Sequence, residues 1–424
     1  MAMKFDLKYG DGIKVIQIPE DADITVLQPE IVPILKSLPT ALNNALENPL
    51  NGDALGRQLR KKGHPRIAIA IPDETLATPV GELVSIVLSH IYGSIPGLEP
   101  GSITIVIGGG LHSPSDIKKQ NRLLPPDIVN GCNIVVHDAN NFMVTDFGTT
   151  SRGTPVRINA AFAEADFKIV IGQIDPHQFV GFTGGSKAAA IGCASPETIK
   201  HNHSLMFEEG SRVGLLEGNP VREDLNEAGR MMGIDFAVNV VLNTDKKVVR
   251  VLAGEPDAVL EQGAKTCAAV YGVKVKTKFD IVVASCGGTP KDIVLYQAQK
   301  GLNLSSHAVK KGGKILLLAA CQHGIGDDIY FDYVCQFATP EEVLKDFKNL
   351  GFTMGAHKAY LFGRTLVDYE VAVSSDLDSN IMGQCHLRAA DPSNIIREWV
   401  EGFQGRPKIA VIPYANTTYF IETG

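Results

Sequence analysis

The segment Ile103–His112, which reads ITIVIGGGLH, joins a β-branched run to a glycine loop and ends on a histidine. Such a run is typical of a strand that is buried on both faces of a parallel sheet. Similar runs alternate with amphipathic stretches that favour helices, many with proline in the first turn. The alternation predicts an α/β fold with mostly parallel sheets. The predicted strands are Arg66–Asp73, Ile103–Ile107, Asn133–His137, Phe167–Ile171, Asp280–Ala284, Lys314–Ala319 and Lys408–Pro413. The predicted helices are Pro79–Tyr92, Pro114–Leu124, Pro196–Phe207, Pro220–Met232, Glu255–Tyr271, Asp292–Lys310, Pro340–Leu350 and Pro392–Phe403.

The length of the chain indicates two domains. Its 424 residues, 44% of them hydrophobic, are too many for one compact core and can bury two. We expect α/β domains at residues 1–272 and 279–424, with a linker at Tyr271–Lys278, where the buried-helix pattern is lost. Residues Ala237–Gly254 predict an antiparallel hairpin on the first sheet. The expected ligand site is an active-site cleft between the two domains.

Charge and cysteine content exclude several classes of protein. The net charge is −7 with a pI near 5.9, and no basic stripe suggests a nucleic-acid partner, so a small molecule is expected. No segment has the apolar length of a membrane span, and the N-terminus lacks a signal-peptide pattern, which predicts a cytoplasmic protein without a membrane partner. Seven scattered cysteines without a CxxC pair argue against a disulfide framework or a thiolate zinc site.

A glycine loop at Asp175–Lys187, which reads DPHQFVGFTGGSK, is the strongest chemical signal. Gly184 and Gly185 have no Cβ, so the backbone can approach a bulky group closely and leave the Lys187 amine at the loop tip. Lys187 is therefore a candidate covalent anchor. A helix that begins after an N-cap at Ser195 would carry His203 about two turns further on, facing back toward the loop.

Other interpretations of these residues stay open on sequence alone. Gly-Gly-Ser-Lys superficially resembles a phosphate-binding loop, but the G-x-x-x-x-G-K-[ST] spacing is not met, because Ala188 follows the lysine. A non-catalytic phosphate- or nucleotide-binding protein is the alternative of another class. His203 alone could be a core histidine, and His201 could equally be a ligand. A zinc hydrolase is weaker, since these histidines and His177 form no HExxH motif.

Two further histidines are candidate catalytic bases. His112 and His177 each follow a predicted strand beside a glycine-rich turn, and the imidazole titrates near the pH at which a proton must be taken and returned. Asp73 also follows a strand, and open α/β sheets bind ligands at that edge. As a strand-end carboxylate, Asp73 could accept hydrogen bonds from a ribose or from substrate hydroxyls, and both roles stay open. Each histidine alone could also be a hydrogen-bonded loop residue.

One predicted helix presents polar groups in the second domain. Gln297 and Lys300 are three residues apart on the helix that starts near Asp292, so an amide and an ammonium can converge on a carboxylate. Tyr296 shares much of that face. A helical lysine is most often solvated, so this assignment needs further support.

Four motifs in matching order resemble the nickel-pincer lactate racemase family. H-x-F-x-G-F-[ST]-G-G-x-K matches His177–Lys187, and N-H-S matches Asn202–Ser204. G-x-H-x-P matches Gly110–Pro114, and Y-Q-A-x-K-G matches Tyr296–Gly301. The resemblance implies a 2-hydroxyacid racemase or epimerase, an isomerase, that depends on nickel and on pyridinium-3,5-bisthiocarboxylic acid mononucleotide, the nickel-pincer nucleotide. Enzymes that make this cofactor would be its partners.

The resemblance also implies roles for individual residues. Lys187 would hold the nucleotide by a thioamide, and His203 would be the one protein ligand of nickel, which also binds two sulfurs and a pyridinium carbon. One of His112 and His177 would remove the hydroxyl proton while hydride passes to the cofactor, and the other would return the proton on the opposite face. The implied cofactor-binding residues are Gly184, Gly185, Asp73, Thr75 and Tyr296, and the implied substrate-binding residues are Gln297, Lys300, His357 and Leu76.

Two departures from the family pattern bear on the substrate. The D-x-T-R-P motif corresponds to Asp73–Pro79, with Leu76 where a carboxylate-binding arginine is expected. His357 stands where a tryptophan is expected, which would make the pocket wall more polar. We therefore expect a 2-hydroxy acid other than lactate, with a sugar-acid 2-epimerase as the alternative within the same class.

Overall fold

The computed structural model describes residues 2–423 and divides them into two compact units. The central unit is Ile31–Val270, and the terminal unit combines the described residues up to Glu30 with those from Tyr271 onward. Each unit contains a six-stranded, mostly parallel sheet, so the predicted α/β class is confirmed. No helix within residues 2–423 is both long and apolar enough to cross a membrane.

The elements follow in chain order. The strands are β1 (Ala2–Tyr9), β2 (Gly12–Pro19), β3 (Asp23–Val26), β4 (Ile67–Pro72), β5 (Ile103–Gly108), β6 (Asn133–Val136), β7 (Val144–Thr149), β8 (Pro155–Asn159), β9 (Phe167–Gln173), β10 (Pro176–His177), β11 (Gly181–Phe182), β12 (Phe236–Leu242), β13 (Val248–Gly254), β14 (Gly272–Val275), β15 (Phe279–Ser285), β16 (Val309–Leu318), β17 (Glu370–Ser374), β18 (Arg388–Ala389), β19 (Lys408–Ile412) and β20 (Tyr419–Glu422). The α-helices are α1 (Leu38–Glu47), α2 (Leu55–Lys62), α3 (Val80–Ser94), α4 (Ile117–Leu123), α5 (Pro126–Gly131), α6 (Ala160–Ala163), α7 (Lys187–Ala190), α8 (Pro196–Ser204), α9 (Pro220–Met232), α10 (Pro256–Tyr271), α11 (Leu295–Ser306), α12 (Asp328–Val334), α13 (Pro340–Leu350), α14 (His357–Asp368), α15 (Ser379–Gln384) and α16 (Pro392–Glu401). Short 3₁₀ helices occupy Pro100–Ser102 and Leu205–Phe207.

The central sheet has the strand order β13-β12-β9-β4-β5-β6. All neighbouring pairs are parallel except β12 and β13, which form the antiparallel hairpin predicted from Ala237–Gly254. Every residue of β4 is buried, as expected for a strand covered on both faces. Helices α1, α2 and α3 contribute Leu42, Leu59 and Val84 to the core on one face of this sheet. The strands β4, β5 and β9 lie side by side, so their C-terminal ends meet at one edge of the sheet.

The terminal sheet has the strand order β18-β17-β16-β15-β19-β3, with parallel pairing throughout. Its edge strand β3 comes from the N-terminal segment and pairs with β19. The hairpin of β1 and β2 also belongs here, since its Leu7, Ile16 and Ile18 lie in the core that includes Trp399.

Two expectations about domain organisation differ from the structure. The expected first domain, residues 1–272, began at the N-terminus, but the described residues before Ile31 pack with the C-terminal part of the chain. The reason is that β3 pairs with β19 and the β1–β2 hairpin buries apolar side chains in the terminal core. The expected linker Tyr271–Lys278 contains a strand, because β14 pairs in parallel with β20. The two units separate at Val270 and Tyr271.

Candidate active site

The candidate residues of the central unit follow the ends of three adjacent strands. Asp73 comes directly after β4, His112 lies four residues beyond β5, and the glycine loop begins after β9. In open parallel sheets this edge is where ligands bind.

His112 and Asp73 form a hydrogen-bonded pair at this edge of the sheet. The Asp73 side chain is almost fully buried, and its Oδ2 lies 2.8 Å from Nδ1 of the half-exposed His112. The Thr75 backbone N–H and hydroxyl both donate to Oδ1 of the same carboxylate. Burial acts to raise the pKa of Asp73, but the hydrogen bonds from His112 and Thr75 outweigh it and hold this pKa below its usual value. The ionised carboxylate therefore fixes the His112 proton on Nδ1 and leaves the Nε2 lone pair for proton transfer.

His177 lies in a small hairpin formed by β10 and β11. The Val180 backbone N–H donates to its Nδ1 at 3.3 Å, which places the proton of the neutral ring on Nε2. The His177 ring meets the Phe179 ring edge to face with centroids 4.6 Å apart, and Phe179 meets the His203 ring at 5.2 Å. One phenyl ring thus connects the candidate base to the candidate metal ligand.

The glycine loop before Lys187 depends on glycine for two physical reasons. Gly184 and Gly185 have φ values of 86° and 59°, in the left-handed region that favours glycine. A Cβ at Gly184 would lie 2.4 Å from Cγ1 of Ile174, so no other residue fits there without a shift. The Gly185 N–H donates to Oδ1 of Asn239 on β12 at 2.8 Å. After Ser186 as the N-cap, Lys187 is the first residue of α7.

A buried arginine that the sequence analysis did not identify organises this loop. Arg222 on α9 is 0% exposed, and its guanidinium donates to the backbone oxygens of Phe182, Gly184 (3.4 Å) and Val180 (3.5 Å). A guanidinium carries five donors in a fixed fork, which suits alternate carbonyls of one loop. Burial lowers the pKa of Arg222 to about 9, so the group still carries its charge at neutral pH. The sequence signal was an arginine on the apolar face of an amphipathic helix, one turn before the buried Leu225.

Lys187 has an unusually acidic ammonium. Burial first, and the neighbouring Arg222 charge second, lower its pKa from 10.5 to about 8, while Asp73 acts in the opposite direction. An amine with this pKa is partly neutral near physiological pH and is therefore a better nucleophile than an ordinary lysine. Because Asp73 acts on Lys187 and also hydrogen-bonds His112, the anchor and the base belong to one electrostatic neighbourhood.

His203 lies in the last turn of α8, which begins as predicted with Ser195 as the N-cap and proline in the first turn. Its Nδ1 lies 3.0 Å from Oδ1 of Asn202, and the Asn202 amide nitrogen donates to the buried Asp224 carboxylate at 2.8 Å. The amide orientation makes Oδ1 the acceptor, which assigns the His203 proton to Nδ1 and the lone pair to Nε2. This tautomer is the one that a metal needs.

His201 has a different partner. Its Nδ1 lies 2.8 Å from the Thr154 hydroxyl, and Thr154 also donates to Asp224 at 2.8 Å. The carboxylate of Asp224 thus accepts hydrogen bonds from Thr154, which contacts His201, and from Asn202, which contacts His203. Within residues 2–423, no three His, Cys, Asp or Glu side chains group together as a metal site.

The remaining predicted residues lie in the terminal unit, apart from Leu76. Tyr296, Gln297 and Lys300 are on α11, where Gln297 is exposed and the other two are partly buried. His357, the first residue of α14, is 8% exposed, and its ring meets Tyr296 with centroids 6.3 Å apart. In the central unit, Leu76 is 40% exposed and follows the Asp73–Thr75 turn.

Comparisons with known proteins identify the family of the chain. The family model of the lactate racemase N-terminal domain matches residues 9–214, and that of the lactate racemase C-terminal domain matches residues 274–415. The lactate racemase of Lactiplantibacillus plantarum is 30% identical over 380 residues, which is 88% of each chain, and that of Thermoanaerobacterium thermosaccharolyticum is 27% identical over 88% of each. The solved structure of the lactate racemase apoprotein from the latter organism superposes with a TM-score of 0.90 and 25% identity, covering 99% of this chain and all of that one. The chain belongs to the lactate racemase family, a family of isomerases.

Proposed function

We propose that this protein racemises or epimerises a 2-hydroxy acid other than lactate, using a nickel-pincer nucleotide held at Lys187. The observation that carries the proposal is the Asp73 carboxylate, which orients His112 at 2.8 Å and also acts on the charge of Lys187. A candidate base and a nucleophilic anchor are thereby joined in one site, as a tethered-cofactor racemase requires.

The residues present fit this cofactor. Gly184 and Gly185 let the loop pack closely against Ile174 and Leu260, which fixes the backbone that presents Lys187. Lys187 has the lowered pKa that amide-type bond formation needs. His203 offers Nε2 in the tautomer that binds a metal, supported by Asn202. When bound, the cofactor supplies an acceptor for the hydride of the substrate carbon and returns it.

The proton chemistry falls to the two histidines. His112 exchanges a proton at Nε2, and the Asp73 carboxylate stabilises the imidazolium that forms. His177 serves the opposite enantiomer. For it to accept at Nε2, its ring proton must move to Nδ1, so the 3.3 Å contact from the Val180 N–H has to open when substrate binds.

The choice of substrate follows from the residue at position 76. An apolar leucine there gives no bidentate grip on a carboxylate, so the acid must be held by other cations or by hydroxyl contacts. The substrate class is therefore 2-hydroxy acids, including polyhydroxy acids.

The first test is intact-protein mass spectrometry with peptide mapping and nickel quantification, on protein made together with a cofactor-biosynthesis pathway. We expect a nickel-bearing adduct on Lys187, retained in His112→Ala and His177→Ala, and absent in Lys187→Arg. Chiral chromatography of a panel of 2-hydroxy acids then identifies the substrate. The absence of an adduct, when a control racemase loads in the same host, would overturn the proposal and favour a binding protein.

A further inference from the structure

A buried glutamine in the central unit connects two segments of the candidate site. Gln173 is the last residue of β9, and its Oε1 accepts a hydrogen bond from the Thr78 hydroxyl at 3.0 Å. Its Nε2 donates to Oδ2 of Asp175. Thr78 ends the turn that follows β4 and starts at Asp73, here called the Asp73 turn, and Asp175 opens the glycine loop. One side-chain amide therefore joins this turn to the glycine loop.

A glutamine suits this position because its two partners have opposite needs. A hydroxyl can donate, an ionised carboxylate can only accept, and an amide offers both an acceptor and donors. A carboxylate at position 173 would meet Asp175 with a second negative charge, and an apolar side chain would make neither hydrogen bond. Gln173 is 5% exposed and Thr78 is 7% exposed, so water offers little replacement for a lost contact.

The Asp73 turn is held at both of its ends. At the start, the Asp73 carboxylate pairs with Nδ1 of His112 at 2.8 Å. At the end, the Thr78 hydroxyl reaches the Gln173 amide. Leu76 lies between these two contacts. Gln173 therefore fixes the far end of the turn that orients His112.

The base of the glycine loop is closed around the same residue. The Thr183 hydroxyl donates to the Gln173 backbone oxygen at 2.8 Å and accepts from the Asp175 N–H at 2.8 Å. The Thr183 N–H donates to the Asp175 carbonyl, also at 2.8 Å. His177 lies inside the loop that these contacts close. The backbone and the side chain of Gln173 thus both hold the segment that carries this histidine.

We infer that Gln173 is a positioning residue that sets the Asp73 turn, and with it His112, against the loop that carries His177. The inference rests on the proposed function, because the two histidines are the candidate bases of the racemisation. Two bases that serve one carbon need a fixed separation, and a displacement of about 1 Å costs on the order of 100-fold in rate. Gln173 takes no proton itself; its amide keeps the two segments in register.

Hydrogen exchange of the apoprotein, followed by peptide mass spectrometry, tests this bridge without a cofactor. In Gln173→Met, the amides of the Asp73 turn and of the glycine loop should both exchange about tenfold faster, because each segment loses a contact. Thr78→Val removes only the hydroxyl and should accelerate the turn more than the loop. Gln58→Met is the matched control: it removes an amide of the same unit that donates to the Asp53 carbonyl at 2.7 Å, and both segments should exchange as in the wild type.

Gln173→Glu should make the bridge depend on pH. When protonated, the new carboxyl group can accept from Thr78 and donate to Asp175; when ionised, it repels Asp175. Because it is buried beside a carboxylate, it titrates above the usual value of about 4.3. Compared with the wild type at the same pH, both segments should exchange normally near about pH 5 and faster near about pH 9. In the loaded enzyme, kcat in both directions should follow the same profile and should fall more than KM rises.

Three outcomes would overturn the inference. They are unchanged exchange in folded Gln173→Met, an acceleration confined to one of the two segments, and wild-type kcat in both directions for loaded Gln173→Met. Because exchange is measured on the apoprotein, it is independent of cofactor loading and of racemisation. A protein that shows the expected exchange but racemises no 2-hydroxy acid would keep the bridge and refute the proposed function.

Discussion

Replacing Arg222 with methionine should change the chemistry of Lys187 without touching that residue. The pKa of Lys187 is about 8 instead of 10.5, with burial as the larger cause and the Arg222 charge as the second. Removal of the Arg222 charge should therefore raise the pKa of Lys187 part of the way from about 8 toward 10.5 and lower the neutral fraction of the amine at pH 7. The three carbonyls of Val180, Phe182 and Gly184 would also lose a charged donor, which should destabilise the fold by about 3 kcal/mol.

The assay is competitive acetylation of apoprotein with acetic anhydride across a pH range, with Lys187 followed by peptide mass spectrometry. The acetylation midpoint of Lys187 should move up from near pH 8, part of the way toward 10.5, in Arg222→Met. Arg222→Lys should keep most of the shift, since the charge remains, while losing loop stability because one ammonium cannot reach three carbonyls. Arg230→Met removes an exposed arginine from the same helix and should leave the midpoint unchanged. An unaltered midpoint in folded Arg222→Met would refute the electrostatic reasoning.

Three further perturbations test the same site. Lys187→Met should stabilise the apoprotein by about 2 kcal/mol at pH 7, because the folded state disfavours the charged lysine. This gain should shrink between pH 8 and 10.5, where the folded wild type has lost the lysine proton, the unfolded chain still holds it, and wild-type stability therefore rises with pH. Urea denaturation across this range would show no such convergence if the lysine were fully solvated. Asp224→Ala should lower the free energy of unfolding by about 3 kcal/mol, because the Thr150 and Thr154 hydroxyls and the Asn202 amide lose a buried acceptor. Glu223→Ala, at the neighbouring and more exposed position, should lower it by less than about 1 kcal/mol. Equal losses in urea denaturation would contradict the role given to the Asp224 carboxylate. Gly184→Ala places a Cβ at positive φ and against Ile174, so thermal unfolding should show a loss of about 3 kcal/mol in stability. Gly218→Ala also places a Cβ at positive φ, but in open space, and should cost about 1 kcal/mol. Similar losses in the two variants would mean that the loop has room to shift.

The buried strands could be predicted from sequence because their composition is set by burial alone. β4, β5, β15 and β16 are rich in isoleucine, valine and leucine, as a position between two helical layers demands. The edge strand β3 could not be identified, because its four residues are mostly exposed and its partner lies at the other end of the chain. The alternation in β14 resembled a polar linker, since this short strand lies in a separate two-stranded sheet.

The candidate site could be predicted where the type of a residue and the motif around it indicate its chemistry. His112, Lys187 and His203 could be selected because they stand in motifs, and their roles stay predictions. Arg222 was missed for a physical reason. A charged residue on a helix is ordinarily solvated, and only the tertiary structure shows that this guanidinium is buried against backbone carbonyls.

The pairing of β3 with β19 has a consequence for the order of folding. The segment before Ile31 is synthesised ahead of the central unit, but its Glu20 carbonyl accepts a hydrogen bond from Arg406, 386 positions later. The contiguous stretch Ile31–Val270 can form its sheet during synthesis, whereas the terminal sheet must wait until β19 has been made. The unit that carries Lys187 is therefore complete before the terminal unit. A stalled or truncated product would keep the lysine loop and leave the β1–β2 hairpin, with its apolar side chains, without a core.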